Sequence, residues 1–231
     1  MTLNWILCFF SLFAPIYGCA QDSLPSPYTE VELLPFDPEY EGEYGHAKVF
    51  SKLFSRNKVE VVIEVGSWLG KSTRYLATKV PENGKVYAVD HWLGSEEHQP
   101  GERNYTPLIY HLYQQFLSNV IHEGLTHKII PVRMSSLEGA KYLSDIKPDL
   151  IYIDASHTTE NVLADLRAWY PYVKNRGVLC GDDWTWPPVA AAVKQFAQEE
   201  NLVLEVPSHN FWHLMEPSRQ SATSVLHYRN Y

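Results

Sequence analysis

The sequence predicts an α/β protein with a parallel sheet covered by helices on both faces. Three observations carry this. Short β-branched runs alternate with segments of helical periodicity along most of the chain. The runs are continuously apolar, as in strands buried on both faces, rather than alternating apolar and polar. Several of them end in Gly or Asp, the residue types that turn a strand into the next loop. The composition allows one sizeable core: 231 residues, 45% hydrophobic and 13% aromatic.

The elements follow in order. Val59 to Val65 reads as the first strand and ends at Gly66, and a helix follows from Lys71 to Lys79. Lys85 to Asp90 is the second strand. Pro107 to Ile121 reads as one helix, because Leu108, Leu112, Phe116, Leu117 and Val120 recur at three- and four-residue spacing with Pro107 in the first turn. Ile129 to Val132 and Asp149 to Asp154 are strands three and four. Thr159 is placed to cap a helix bearing Val162, Leu163, Leu166 and Trp169, with Gly177 at its C′ position. Val178 to Cys180 is a fifth strand, and Pro187-Pro188 opens a helix through Val189, Val193 and Phe196. Leu202 to Val206 and Phe211 to Met215 flank a Pro-Ser-His-Asn turn and read as a hairpin.

In such sheets ligands bind beyond the C-terminal ends of the strands. That edge collects five carboxylates: Glu64, Asp90, Asp154, Asp182 and Asp183. Any one of them could be a helix cap or a turn former; five at one edge ask for a ligand. A phosphate loop is approached by Gly66-Ser-Trp-Leu-Gly70-Lys71-Ser72, but with three residues where that motif has four, so a phosphate-loop NTPase or kinase is one alternative. A dinucleotide fingerprint is broken by Trp68, although Asp90 suits a ribose diol. S-adenosylmethionine, with a sulfonium, an ammonium and a ribose diol, matches an acidic edge best. On that reading Glu64 faces the amino-acid portion, Gly66 and Gly70 admit close backbone approach, Asp90 holds the ribose hydroxyls, and Ser135 and Ser136 lie near the adenine.

Glu64-Val-Gly66-Ser67-Trp-Leu-Gly70-Lys-Ser-Thr73 resembles the first motif of class I S-adenosylmethionine-dependent methyltransferases. Val89-Asp90-His91-Trp92-Leu-Gly94, Tyr113 to Val120, Ile153-Asp-Ala-Ser-His157 and Gly177 to Trp184 continue the resemblance in order, over roughly residues 45–215. The resemblance implies a Rossmann-like, doubly wound, seven-stranded sheet, mostly parallel with a C-terminal antiparallel hairpin. It implies a methyltransferase whose cofactor touches Glu64, Gly66, Ser67, Gly70, Asp90, His91, Trp92, Ser135, Ser136 and Asp154, acting on an oxygen of a small-molecule or sugar-like acceptor.

Transfer to a hydroxyl requires loss of its proton or a metal that acidifies it. Asp154, Asp182 and Asp183 are hard oxygen donors that suit Mg²⁺ or another divalent cation. Their placement is similar to the metal site of catechol-type O-methyltransferases, with Asp183 where those carry Asn. His157, three residues beyond Asp154, is the candidate general base; the bland alternative is a His bonded to its neighbours at a helix start. Trp184 and Trp186 either wall an acceptor pocket or pack as core, and the long polar stretch 91–106 has the length of a functional lid.

The net charge of −8 argues against a nucleic-acid backbone as partner. Residues 1–20, with the apolar run Trp5 to Tyr17 before Gly18-Cys19-Ala20, read as a signal peptide or apolar leader without an N-terminal Lys or Arg. Residues 21–38 then read as a linker, 39–216 as the methyltransferase domain and 217–231 as a tail. A working leader means export or membrane attachment, with membrane contact confined to it; otherwise the protein is cytoplasmic. Because S-adenosylmethionine is a cytosolic metabolite, export keeps open a non-catalytic descendant that binds a ligand or partner. A homodimer also stays open.

Overall fold

The computed structural model describes residues 24–36, 45–173, 177–217 and 229–230. The expected leader, 1–20, and most of the tail lie outside the described residues. Among the described residues no helix is long and apolar enough to cross a membrane.

The elements run α1 (Ala47–Arg56), β1 (Val61–Val65), α2 (Lys71–Lys79), β2 (Lys85–Asp90), α3 (Leu112–His122), β3 (Ile129–Arg133), α4 (Ser136–Tyr142), β4 (Leu150–Ile153), α5 (Thr159–Val173), β5 (Val178–Gly181), α6 (Pro187–Glu199), β6 (Val203–Ser208), β7 (Phe211–Met215) and β8 (Arg229–Asn230). The strand order is β3-β2-β1-β4-β5-β7-β6-β8. Strands β1 to β5 are mutually parallel, and β7 enters antiparallel against both β5 and β6. The expected seven strands and their closing hairpin are therefore present, with the two-residue β8 added parallel to β6.

The continuous apolar runs make sense as buried strands. Every residue of β4 and β5 is buried, because helices cover both faces. Val62, Val86, Leu150, Tyr152 and Cys180 pack with α1, α2 and α3 on one face. Ile63, Val65, Ile151 and Ile153 pack with α4, α5 and α6 on the other. Chain direction across the sheet reverses between β1 and β4, and the ends of those two strands open a crevice.

Three local expectations change. The helix expected over 107–121 is two pieces, a 3₁₀ turn Pro107–Tyr110 and then α3, separated by His111 at φ −134°. Thr158 caps α5, its hydroxyl accepting from the Asn161 N–H at 3.3 Å, while the Thr159 hydroxyl donates to the Pro188 carbonyl at 3.1 Å. The described part of the expected linker, 24–36, is packed on the domain. Tyr28 is 1% exposed and donates to the Ile129 carbonyl, and α3 holds the segment through Gln114, Gln115 and Ser118. A buried Tyr with a satisfied hydroxyl overrides the Ser/Pro-rich composition around it.

Candidate active site

The first motif is shaped by a backbone need. Gly66 ends β1 at φ +90°, and its N–H donates to the Val89 carbonyl at 2.9 Å. A Cβ there would overlap the Asp154 carbonyl oxygen, so only glycine lets β1 and β4 approach. Asp90 then ties the two loops beyond β1 and β2. Its Oδ2 accepts from the Trp68 N–H at 2.9 Å and its Oδ1 from the Trp92 N–H at 2.7 Å. Trp68 and Trp92 both sit at positive φ, 46° and 51°, a strained conformation that these two bonds help to hold.

Glu64 lies beneath this turn, fully buried. Its Oε2 accepts from the Thr73 hydroxyl, while its Oε1 and the Ser67 hydroxyl oxygen have no hydrogen-bond partner among the described residues. Burial pushes the Glu64 carboxyl above its ordinary range; neighbouring hydroxyls of Ser72, Thr73 and Ser67 offset part of this, and Asp90 adds to it.

The β4–β5 edge is assembled differently. The Tyr152 hydroxyl lies between two carboxylates, 3.2 Å from Asp154 Oδ2 and 3.3 Å from Asp182 Oδ2. Asp182 Oδ1 is met by His46 Nε2 at 2.8 Å, by Asn210 Nδ2 at 2.8 Å and by the Asp183 N–H at 2.7 Å. Asp183, at φ +60°, turns its Oδ2 to His157 Nε2 at 2.8 Å, and its Oδ1 receives Asn210 Nδ2 at 3.3 Å. The other nitrogen of His157, Nδ1, lies 3.3 Å from Glu97 Oε1, and Trp186 stacks on the ring with centroids 4.7 Å apart. Burial, with the charges of Asp182, Asp183 and Glu64, pushes Asp154 well above the usual carboxylate range. The hydrogen bond to Asp183 raises His157 despite its partial burial, and the charges of Asp183, Glu97 and Asp154 add to the rise.

These contacts decide the metal expectation. Asp154, Asp182 and Asp183 share one region and are held by protein partners: Asp154 and Asp182 meet at the Tyr152 hydroxyl, Asp182 and Asp183 at Asn210, with His46 on Asp182 and His157 on Asp183. Among the described residues no three His, Cys, Asp or Glu side chains are disposed to hold a metal ion.

The ends of β1, β2 and β4 face a cavity of about 540 Å³. Of the residues expected to bind or act, Gly66, Asp90, His91, Ser135, Ser136, Asp154 and His157 line it. Glu64, Ser67, Gly70, Trp92, Asp182 and Asp183 do not. Glu64 and Ser67 lie buried behind the Gly66 turn. Gly70 starts α2 and packs so closely on the Phe116 ring that a Cβ would collide with it. Trp92, 2% exposed, is core between Tyr113 and Phe116, its Nε1 donating to the Trp68 carbonyl. Ser135 caps α4 in a reciprocal box with Glu138, and the Ser136 hydroxyl accepts from Trp169 Nε1 at 2.9 Å. Trp184 packs against the α4–α6 core, whereas Trp186 is 46% exposed.

Sequence reasoning missed several contributors. Asp165 lines the cavity from α5 and is 5% exposed; burial lifts its carboxyl to about 6. Its signal was a carboxylate set among Val162, Leu163, Leu166 and Trp169 on the buried stripe of that helix. Trp68, His98 and Asn161 also line the cavity. His46 and Asn210 reach the β4–β5 edge from remote elements, and no local pattern marks them; Glu97 reaches it from the polar stretch 91–106.

Comparison with known proteins agrees with this fold. A family model described as "Methyltransferase domain" matches residues 63–184, more than half of the chain. Among solved structures, the O-methyltransferase from Bacillus cereus in complex with SAH is 17% identical, with 80% of this chain and 84% of that one covered and a TM-score of 0.56. The O-methyltransferase TomG from Streptomyces achromogenes, involved in tomaymycin synthesis and in complex with SAM, is 12% identical (77% and 82% covered, TM-score 0.56). A precorrin 8w decarboxylase from Methanobacterium thermoautotrophicum is 14% identical (78% and 95% covered, TM-score 0.53). At such identities the structural likeness carries the fold, which serves more than one reaction.

Proposed function

We propose that this chain, which belongs to the methyltransferase-domain family, transfers the methyl group of S-adenosylmethionine to an oxygen of a small-molecule acceptor. The observation that carries this reading is one cavity with Asp90 on one wall and Asp154 and His157 on the other. Asp90 has both oxygens fixed by backbone N–H groups and keeps lone pairs for a ribose diol. Glu64 and Asp154, both raised by burial, favour a cationic ligand, because positive charge nearby lowers the cost of ionising them.

Methyl transfer is an in-line displacement, so the protein must align donor and acceptor and remove the acceptor's proton. Asp183 fixes the His157 ring through Nε2, which directs Nδ1 to an acceptor hydroxyl. Trp186, stacked on that ring, gives the acceptor an apolar wall. Asp182 and Asp183 are taken up by His46, Asn210 and His157, and Asp154 by the Tyr152 hydroxyl, which leaves His157 to receive the acceptor's proton.

Calorimetry at neutral pH with S-adenosylhomocysteine tests the premise; the reading fails if no heat of binding appears. Transfer of labelled methyl from S-adenosylmethionine into a panel of phenols and sugars then tests the chemistry. Binding without transfer to any hydroxyl would return the chain to the ligand-binding alternative.

A further inference from the structure

The segment after β2 touches both walls of the cavity through one short turn. Residues Glu96–His98 form a 3₁₀ turn closed on Ser95, whose N–H donates to His98 Nδ1 at 3.1 Å. The segment also folds on itself, with the Asn104 N–H donating to the Glu97 carbonyl at 3.2 Å. From this turn His98 packs on the Trp68 ring, centroids 4.6 Å apart, and so rests on the donor wall. Glu97 points the other way, to His157 Nδ1 at 3.3 Å.

His157 therefore has a carboxylate at each ring nitrogen, and an imidazole in that state has no lone pair to offer an acceptor. One partner must leave before the ring can act as a base. Asp183 is the more constrained: it ends β5 in a fixed left-handed conformation, and Asn210 holds its second oxygen. Glu97 is 34% exposed at its side chain, and its carboxylate has no other partner among the described residues.

We propose that Glu97 is a latch. It closes segment 91–106 over the cavity by occupying the Nδ1 side of His157, and the acceptor's hydroxyl displaces it. As it leaves, the Glu97 carboxylate takes the Nδ1 proton and passes it to solvent, so Nδ1 turns a lone pair to the acceptor's hydroxyl and the turn is released in the same step. This rests on the reading of His157 as the base, but the latch itself is testable without an acceptor.

The experiment is amide hydrogen exchange of the full chain with no ligand, comparing Glu97→Gln, His157→Asn, the double variant and Glu102→Gln as a control on the same exposed segment. Glu97→Gln and His157→Asn are each expected to speed exchange of amides 95–104 about fivefold. The double variant should add nothing to either, and the control should not move them. Unchanged exchange in Glu97→Gln, or two effects that multiply in the double variant, overturns the latch. S-adenosylhomocysteine calorimetry on the same samples separates the two claims. A protein that binds it while exchange is unaffected loses only the latch; one that shows the exchange effect but no binding loses only the methyl-transfer reading.

Discussion

The β1–β2 edge and the β4–β5 edge are held together by different kinds of bond, and the ends of β1, β2 and β4 face the same cavity. On the donor side, short segments next to the strands do the work: Gly66 N–H to the Val89 carbonyl, and Asp90 to the N–H groups of Trp68 and Trp92. On the acceptor side, side chains arrive from far along the chain: His46 from the start of α1, Glu97 from the segment after β2, Asn210 from the β6–β7 turn. A wall made of main chain tolerates few substitutions, because the strained backbone leaves no room. A wall made of side chains can be altered residue by residue.

That contrast orders the expected effects of substitution. Gly66→Ala should be the most damaging, since its Cβ meets main chain and its φ is wrong for alanine; a loss of about 4 kcal/mol and of S-adenosylhomocysteine binding is expected by denaturant titration and calorimetry. Asp90→Ala should weaken S-adenosylhomocysteine binding about 100-fold, by removing a charged acceptor and freeing the two loops it ties. His157→Ala should leave that affinity within about twofold. Equal losses in the two variants would erase the distinction between the walls.

Two buried groups give opposite pH slopes. Burial raises Asp165 from an ordinary 3.8 to about 6, so the stability it allows is full below pH 3.8 and is lost as pH rises through 6, a cost of about 3 kcal/mol. Burial lowers His213 from 6.5 to about 4, so its contribution is full above pH 6.5 and is lost as pH falls through 4, again by about 3 kcal/mol. In the native chain the slopes largely cancel between pH 4 and 6.5. Asp165→Asn should leave a protein that loses stability on acidification through that window, and His213→Phe one that gains it. Urea midpoints at several pH values check this, and parallel curves for both variants would contradict the assignment. The smallest effect is expected at Trp186→Ala: its exposed ring should cost under about 0.5 kcal/mol and leave S-adenosylhomocysteine affinity unchanged.

The two walls also differ in how far they could be read from sequence. Gly66, Asp90, His91, Ser135 and Ser136 were legible because each sits at the end of a recognisable strand, where the α/β architecture puts ligands. Gly70 and Trp92 belong to the same motifs, yet one gives way to Phe116 and the other joins the core; a motif names a stretch of chain and not which side chain faces the cavity. Asp154, Asp182 and Asp183 read as a metal-binding set because their place at neighbouring strand ends was visible in the sequence and the direction of their side chains was not. Tyr152, Asn210, His46 and His157 take them up instead.

By itself the sequence determined the strand–helix alternation, the closing hairpin, the acidic edge and the place of the donor wall. All of these follow from local periodicity, turn chemistry and the geometry of parallel sheets. Only the tertiary structure decided that 24–36 is packed on α3, that Asp165 lines the cavity, and that His157 is gripped from both sides. Those depend on which side chains meet across tens of residues, and a pattern confined to one segment carries no information about a contact between two.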